Sequence, residues 1–197
     1  MLFDFKPAAL LAILGATLCE AVDSVSASNL TLYAYGRNIT GLTVFYGDSL
    51  AYIGTTPPIG ASVASNITFS TTDTTSETAT WNITSTNSVF STTPSLYIVP
   101  TNNTFSQVGF YNSSNNSSLP TGGVTTGFFL FGNYLSYIAS DGTMQQQFWA
   151  QATDINGTWK LMWNAGGEGG VTADGYMITP VSIKNRAPLV IDDSTTE

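Results

Sequence analysis

Two groups of side chains in this sequence have the types and spacing to do chemistry. The first is a tryptophan set among amides: Gln145, Gln147, Trp149 and Gln151. An indole stacks on the apolar face of a pyranose, and amides supply both donors and acceptors, so this set is a candidate sugar platform. The second is a thin set of carboxylates, and a glycoside hydrolase needs two of them held on a rigid cleft. Glu197 is the last residue, Glu77 closes a polar run from Ser70, and Glu168 lies between Gly166-Gly167 and Gly169-Gly170. None of these settings is a rigid strand, and no catalytic residue is assigned. Asp154-Ile155-Asn156-Gly157 lacks the third ligand and distal Glu of a calcium loop, so neither a metal nor a cofactor is expected.

Composition narrows the chemistry further. The 197 residues include 5 Lys+Arg, 13 Asp+Glu and no His, for a net charge of −8. Without histidine there is no Ser-His-Asp triad and no imidazole-built metal site. A chain this poor in cations has no electrostatic footprint for nucleic acid or for an anionic membrane surface. At 197 residues it is long enough for one good core and short for two.

The N-terminus reads as an address. Lys6 supplies a charged n-region, Ala8 to Leu18 an apolar run, and Cys19-Glu20-Ala21 a cleavage tripeptide with small residues at both ends. The run is shorter than the roughly 20 residues a membrane-spanning helix needs. A signal peptide over 1–21 would leave a mature chain from Val22, and it would carry off Cys19, the chain's one cysteine. Sequons at Asn29, Asn38, Asn66, Asn82, Asn102, Asn112, Asn115, Asn116 and Asn156 point the same way. In a chain with this much Ser and Thr, roughly three or four would arise by chance. The expectation is a secreted, N-glycosylated protein with no membrane span, extracellular or associated with a cell wall.

The elements that must position these residues are β-strands. Asn29-Leu30-Thr31, Asn38-Ile39-Thr40, Asn66-Ile67-Thr68 and Asn82-Ile83-Thr84 each set an aliphatic residue between two polar ones. On a strand this turns Asn and Thr to water and the aliphatic residue to the core. Strands are predicted at 29–35, 42–46, 50–54, 65–70, 78–84, 95–99, 104–111, 126–131, 134–139, 143–153, 158–163 and 176–183, with loops at 36–41 and 71–76 and fraying from Lys184. No sustained 3.6-residue period predicts a helix in the mature chain. Asn156-Gly157 suits a two-residue type I′ turn, pairing Asp154 with Trp159, Ala152 with Leu161 and Ala150 with Trp163. Trp163 and Phe148 would then face the core, and Trp149 the other side. Phe45–Ile53 and Leu130–Ile138 echo one another, as repeated hairpins would. Twelve strands suit an antiparallel β-sandwich of jelly-roll or concanavalin type, with a β-trefoil or small propeller as the alternative. The expected organisation is a signal peptide over 1–21, one all-β domain over 22–186, and a flexible acidic tail over 187–197.

The hairpin-dense stretch 126–163 carries Gly127-Phe128-Phe129-Leu130-Phe131-Gly132-Asn133-Tyr134, Tyr137-Ile138-Ala139-Ser140-Asp141-Gly142 and Gly157-Thr158-Trp159-Lys160-Leu161-Met162-Trp163. In these it resembles small secreted glycoproteins of filamentous ascomycete fungi. That resemblance implies a fungal extracellular protein, surface-associated or effector-like, and brings no catalytic residues with it. Eight of the nine sequons precede residue 117, so a presented face is expected mainly from 120–186. The functional expectation is a non-catalytic β-domain that binds carbohydrate, a cell-wall polysaccharide or another extracellular surface. The alternatives are a small secreted glycoside hydrolase using two carboxylates, or a structural cell-wall or matrix glycoprotein.

Overall fold

The structure is a computed structural model that describes residues 24–87, 90–100, 105–114, 118–164, 166, 170–171 and 175–187. The expected signal peptide lies outside the described residues, as do Asn102, Asn115, Asn116, Glu168 and the tail beyond Ala187. The described residues form sixteen strands and no helix.

The Val-, Ile-, Thr- and aromatic-rich runs become strands, and turn-forming residues divide them. The first run splits into β1 (Ala27–Leu30) and β2 (Tyr33–Gly36). The predicted 36–41 loop is instead a tight turn in which Gly36 pairs with Ile39. Asn38 there takes φ 60°, a left-handed conformation that asparagine tolerates better than most residues. β3 (Ile39–Gly47) and β4 (Leu50–Ile53) follow, joined through Asp48 and Ser49 at φ 47° and 69°. Next come β5 (Ala64–Thr71), β6 (Asn82–Ser85), β7 (Ser95–Tyr97), β8 (Ser106–Gln107) and β9 (Gly109–Tyr111). The aromatic stretch supplies β10 (Phe128–Phe131), β11 (Tyr134–Ile138), β12 (Met144–Gln145), β13 (Phe148–Ala152) and β14 (Trp159–Trp163). The short β15 (Gly170–Val171) and the long β16 (Met177–Lys184) complete the set.

The expected sandwich is not what these strands build. Hydrogen-bonded neighbours run β5-β6-β7-β9-β4-β14-β13-β16-β2-β3 and back to β5, a closed ten-strand antiparallel barrel with the remaining strands outside it. The β3–β4 hairpin makes the closure possible. One of its edges is shared by β5, through Phe45 to Gly47, and β2, through Ile39 to Thr43. Its other edge is shared by β9, through Leu50, and β14, through Tyr52 and Ile53. A sandwich leaves each sheet with free edges, whereas closure pairs them all. Strand count and alternation are the same in both architectures, so the sequence pattern could not separate them.

The seam between β4 and β14 rests on a close backbone approach. Gly54 has φ 127°, and a Cβ there would stand 2.3 Å from the Gly157 carbonyl oxygen. The Thr158 hydroxyl donates to the Thr56 carbonyl at 2.8 Å across the same seam. This docking also reshapes the 156–157 turn. The Thr158 N–H reaches the Ile155 carbonyl at 3.1 Å, as a tight turn requires. Asn156 has no positive φ, however, so the turn is not type I′. The Thr153 hydroxyl donates to the Thr158 carbonyl at 2.8 Å and takes up the room of a ladder pair. Pairing therefore begins at Ala152–Trp159, and Ala150 meets Leu161, two residues from the expected register. An even shift preserves the faces. Phe148, Ala150, Leu161 and Trp163 all point into the barrel, as the alternation predicts.

The echo between the two hairpins does not survive. The β3–β4 turn is centred on Asp48-Ser49, but Phe131 pairs with Tyr134, so the β10–β11 turn is centred on Gly132-Asn133. This one-residue offset exchanges the faces. Ala51 and Ile53 join the core in one hairpin, while Leu135 and Tyr137, at the alternate positions, join it in the other.

The barrel interior is filled by side chains. Trp81, Trp163, Phe69, Phe128 and Phe148 are the largest buried members of the main core cluster, Phe128 joining it from β10 outside the barrel, with Leu30, Ile39, Ile67 and Ile83 of the four sequon strands packed among or against them. Trp163 meets Phe148 and Tyr137 edge to face, with centroids 4.9 and 5.6 Å apart. Asn29, Asn38 and Asn66 are exposed, and Asn82 is half-buried.

Candidate functional site

Even-numbered residues of β16 face outward, because Val181 and Ile183 point into the core. The outer face around this strand has two aromatic regions. One contains the residues singled out in the sequence, and the other does not.

Around Ile178, at the first end of β16, lie Trp149 of β13 and Met162 of β14, which form a small cluster outside the barrel. Phe105, just before β8, stands edge-on over the indole, with centroids 5.4 Å apart and planes at 87°. Trp149 is consequently only 8% exposed, and Gln151 is equally covered. The indole Nε1 is buried with no hydrogen-bond partner among the described residues. The expected single strand over 143–153 is broken at Gln146-Gln147, which separates β12 from β13. Gln145 therefore pairs with Tyr137 of β11, away from the Trp149 ladder, and its Oε1 is buried. Gln147 is half-buried, and its carbonyl accepts from the Asn164 N–H at 3.2 Å. The structure thus keeps Trp149 and Gln151 on one face but roofs that face over.

At the other end, β16 runs on to Lys184 where fraying was expected. Lys184 lies opposite Tyr33 of β2 on one side and Tyr134 of β11 on the other. Its Nζ sits 4.9 Å from the Tyr35 ring centroid and 4.5 Å from that of Tyr134. Phe131 pairs with Tyr134 across the β10–β11 hairpin and extends the aromatic surface. Phe131 is 60% exposed and Tyr134 37%. Tyr35 donates its hydroxyl to the Arg186 carbonyl at 2.7 Å, and the Asn185 N–H reaches the Asn133 carbonyl at 3.0 Å. These bonds hold the chain after β16 against the rim of the face. The hairpin is anchored from its other edge too. The Leu130 N–H donates to the Thr74 carbonyl at 2.7 Å, and the Trp81 indole N–H to the Phe128 carbonyl at 3.2 Å. The rings are carried on strands fixed from both sides.

No run of residues in the sequence marks this face. Tyr33-Ala34-Tyr35 and Ile183-Lys184 each show the right alternation, but β2 and β16 are about 150 residues apart, and no local pattern announces their pairing.

Among the described residues the carboxylates do not assemble. Glu77 lines a shallow groove of about 360 Å³ with Thr126, Gly127, Tyr137 and Ser140, and no second carboxylate lines it. The Asp141 carboxyl is held below its ordinary range, chiefly by the Thr143 backbone N–H, and Asp73 likewise by that of Thr75. A general acid needs a shift in the opposite direction. Asp154 accepts from the Tyr176 hydroxyl at 2.6 Å, on an exposed turn. Among the described residues no three His, Cys, Asp or Glu side chains come together as a metal site would require, and no helix is long and apolar enough to cross a membrane.

Compared with protein-family models, with curated proteins and with solved structures, the chain matches none.

Proposed function

We propose that this chain is a secreted, N-glycosylated, non-catalytic β-barrel that binds carbohydrate through the open aromatic face of β2, β16, β11 and β10. One observation carries the reading: Phe131 lies largely exposed and Tyr134 partly exposed on braced strands, beside a lysine set between two tyrosine rings. Solvent-exposed aromatic rings cost solubility, and a pyranose offers them an apolar C–H face to cover. Rigid strands hold the rings ready, so little ordering entropy opposes binding. Trp149 and Gln151 have no such access, so the binding role passes to the other end of β16. Export would begin at Val22, with glycans at the exposed Asn29, Asn38, Asn66 and Asn156.

The test is retention on insoluble and soluble polysaccharides of protein secreted by a eukaryotic host. The double variant Phe131→Ala/Tyr134→Ala is expected to lose at least tenfold in affinity, with its thermal transition nearly unmoved. Unchanged binding by this variant, or failure of the native protein to bind any polysaccharide, overturns the proposal.

A further inference from the structure

The open face differs from the rest of the molecule in charge as well as in aromatic content. The chain has a net charge of −8, yet the stretches that build this face contain no acidic residue. Ala27 to Gly47, spanning β1 to β3, has none; nor has Phe128 to Ile138, spanning β10 and β11; nor has Tyr176 to Ala187, around β16. The same three stretches contain Arg37, Lys184 and Arg186, three of the five cations in the chain. At physiological ionic strength charges beyond about 8 Å are largely screened, so an arriving ligand responds to this local balance more than to the net charge.

Resting on the carbohydrate-binding reading, we propose that the ligand is an acidic polysaccharide, a polymer of uronic acid residues whose carboxylate meets Lys184 while adjacent rings stack on Tyr134 and Phe131. Among the described residues, Lys184 has two ring faces as neighbours and no carboxylate in ion-pair contact. Cation–π attraction holds the amine over those rings and leaves its N–H donors available. A carboxylate arriving there makes a charge-assisted hydrogen bond, about twice as strong as a neutral one. A neutral glycan uses the rings alone and leaves the lysine unanswered. Nucleic acid is also anionic, but it would need many cations along its track, and the stretches that build this face contain three.

The experiment compares one polymer in two charge states: polygalacturonate and its fully methyl-esterified form, with a neutral β-glucan as a third probe. The native protein is expected to bind the acid form at least tenfold more tightly than the ester. That preference should shrink as salt rises from 50 to 500 mM. Lys184→Gln should abolish the preference, bringing binding of the acid form down to that of the ester in the same variant, and Lys184→Arg should restore it. Phe131→Ala/Tyr134→Ala should weaken both forms. Equal binding of acid and ester, or a preference that persists in Lys184→Gln, overturns the acidic-ligand inference and leaves the carbohydrate reading standing. Binding of the acid form that ignores Phe131→Ala/Tyr134→Ala means charge attraction without stacking, and it too overturns the inference. If none of the three polymers binds, the acidic-ligand inference falls, and the carbohydrate reading stands or falls on the wider polysaccharide retention test.

Discussion

The two ends of β16 carry similar aromatic material and treat it in opposite ways. At Ile178 the indole of Trp149 lies beneath Phe105, with Met162 beside it and 8% of its surface exposed. At Lys184 the rings of Tyr134 and Phe131 face solvent, with an amine held among the tyrosines. A roofed aromatic contributes to stability, because the area it buries and the ring that covers it both favour the folded chain. A bare aromatic contributes little to stability and is available to a ligand. The type of residue therefore does not mark the site; what lies over it does.

The largest expected difference between the two ends is in folding. Trp149→Ala should cost about 3 kcal/mol, as deletions of large buried side chains do, and lower the melting temperature by roughly 6–12 °C. Tyr134→Ala should cost about 1–2 kcal/mol, less than Trp149→Ala, since the ring is already 37% exposed and loses one cation–π contact with a smaller buried area. Thermal unfolding followed by circular dichroism measures both. Equal costs would erase the distinction drawn here between roof and platform.

A smaller effect is expected from removing the roof alone. Phe105→Ala should cost about 1–2 kcal/mol, from the edge-to-face pair and the area it covers. It should also admit acrylamide to Trp149, seen as increased quenching of tryptophan fluorescence that Trp149→Phe cancels. If sugar binding strengthens in Phe105→Ala, the covered end is a latent second platform. Unchanged quenching would mean that Phe105 is not what excludes solvent.

The smallest effect concerns the buried tyrosines and is read by pH. Burial raises the Tyr97 hydroxyl, and burial together with the Asp141 charge raises that of Tyr137. Each group therefore ionises more readily in the unfolded chain, whose value lies near 10. Their stabilising contribution is complete below about pH 10 and is lost as pH climbs through the folded values. Stability should fall above about pH 10, and Tyr137→Phe should soften that fall. A stability profile flat to pH 12 would place these hydroxyls in water.

Much of the fold was legible because alternation is local. The parity of Trp81 with Ile83, of Ile67 with Phe69, and of Phe148 with Trp163 all predicted inward side chains, and all lie in the barrel core. The parity of Trp149 was also right, since it faces outward. Its cover comes from Phe105, more than forty residues earlier, and no periodicity encodes that contact. The same limit hid the closure of the barrel, which depends on β4 meeting β14 and β3 meeting β5. It also hid the open aromatic face, where Tyr35, Tyr134 and Lys184 arrive from three distant segments. The register error at 153–158 was of another kind: a threonine hydroxyl substituted for a backbone pair. The sequence shows which residues face outward, but not which outward residues remain uncovered.

Hydrogen–deuterium exchange with and without a bound polysaccharide tests the central claim most directly, because it locates the ligand without any substitution. Exchange should slow in peptides covering 33–36, 128–136 and 182–187, with 144–152 and 159–163 unchanged. Protection confined to 144–152 would contradict that claim and return the site to Trp149.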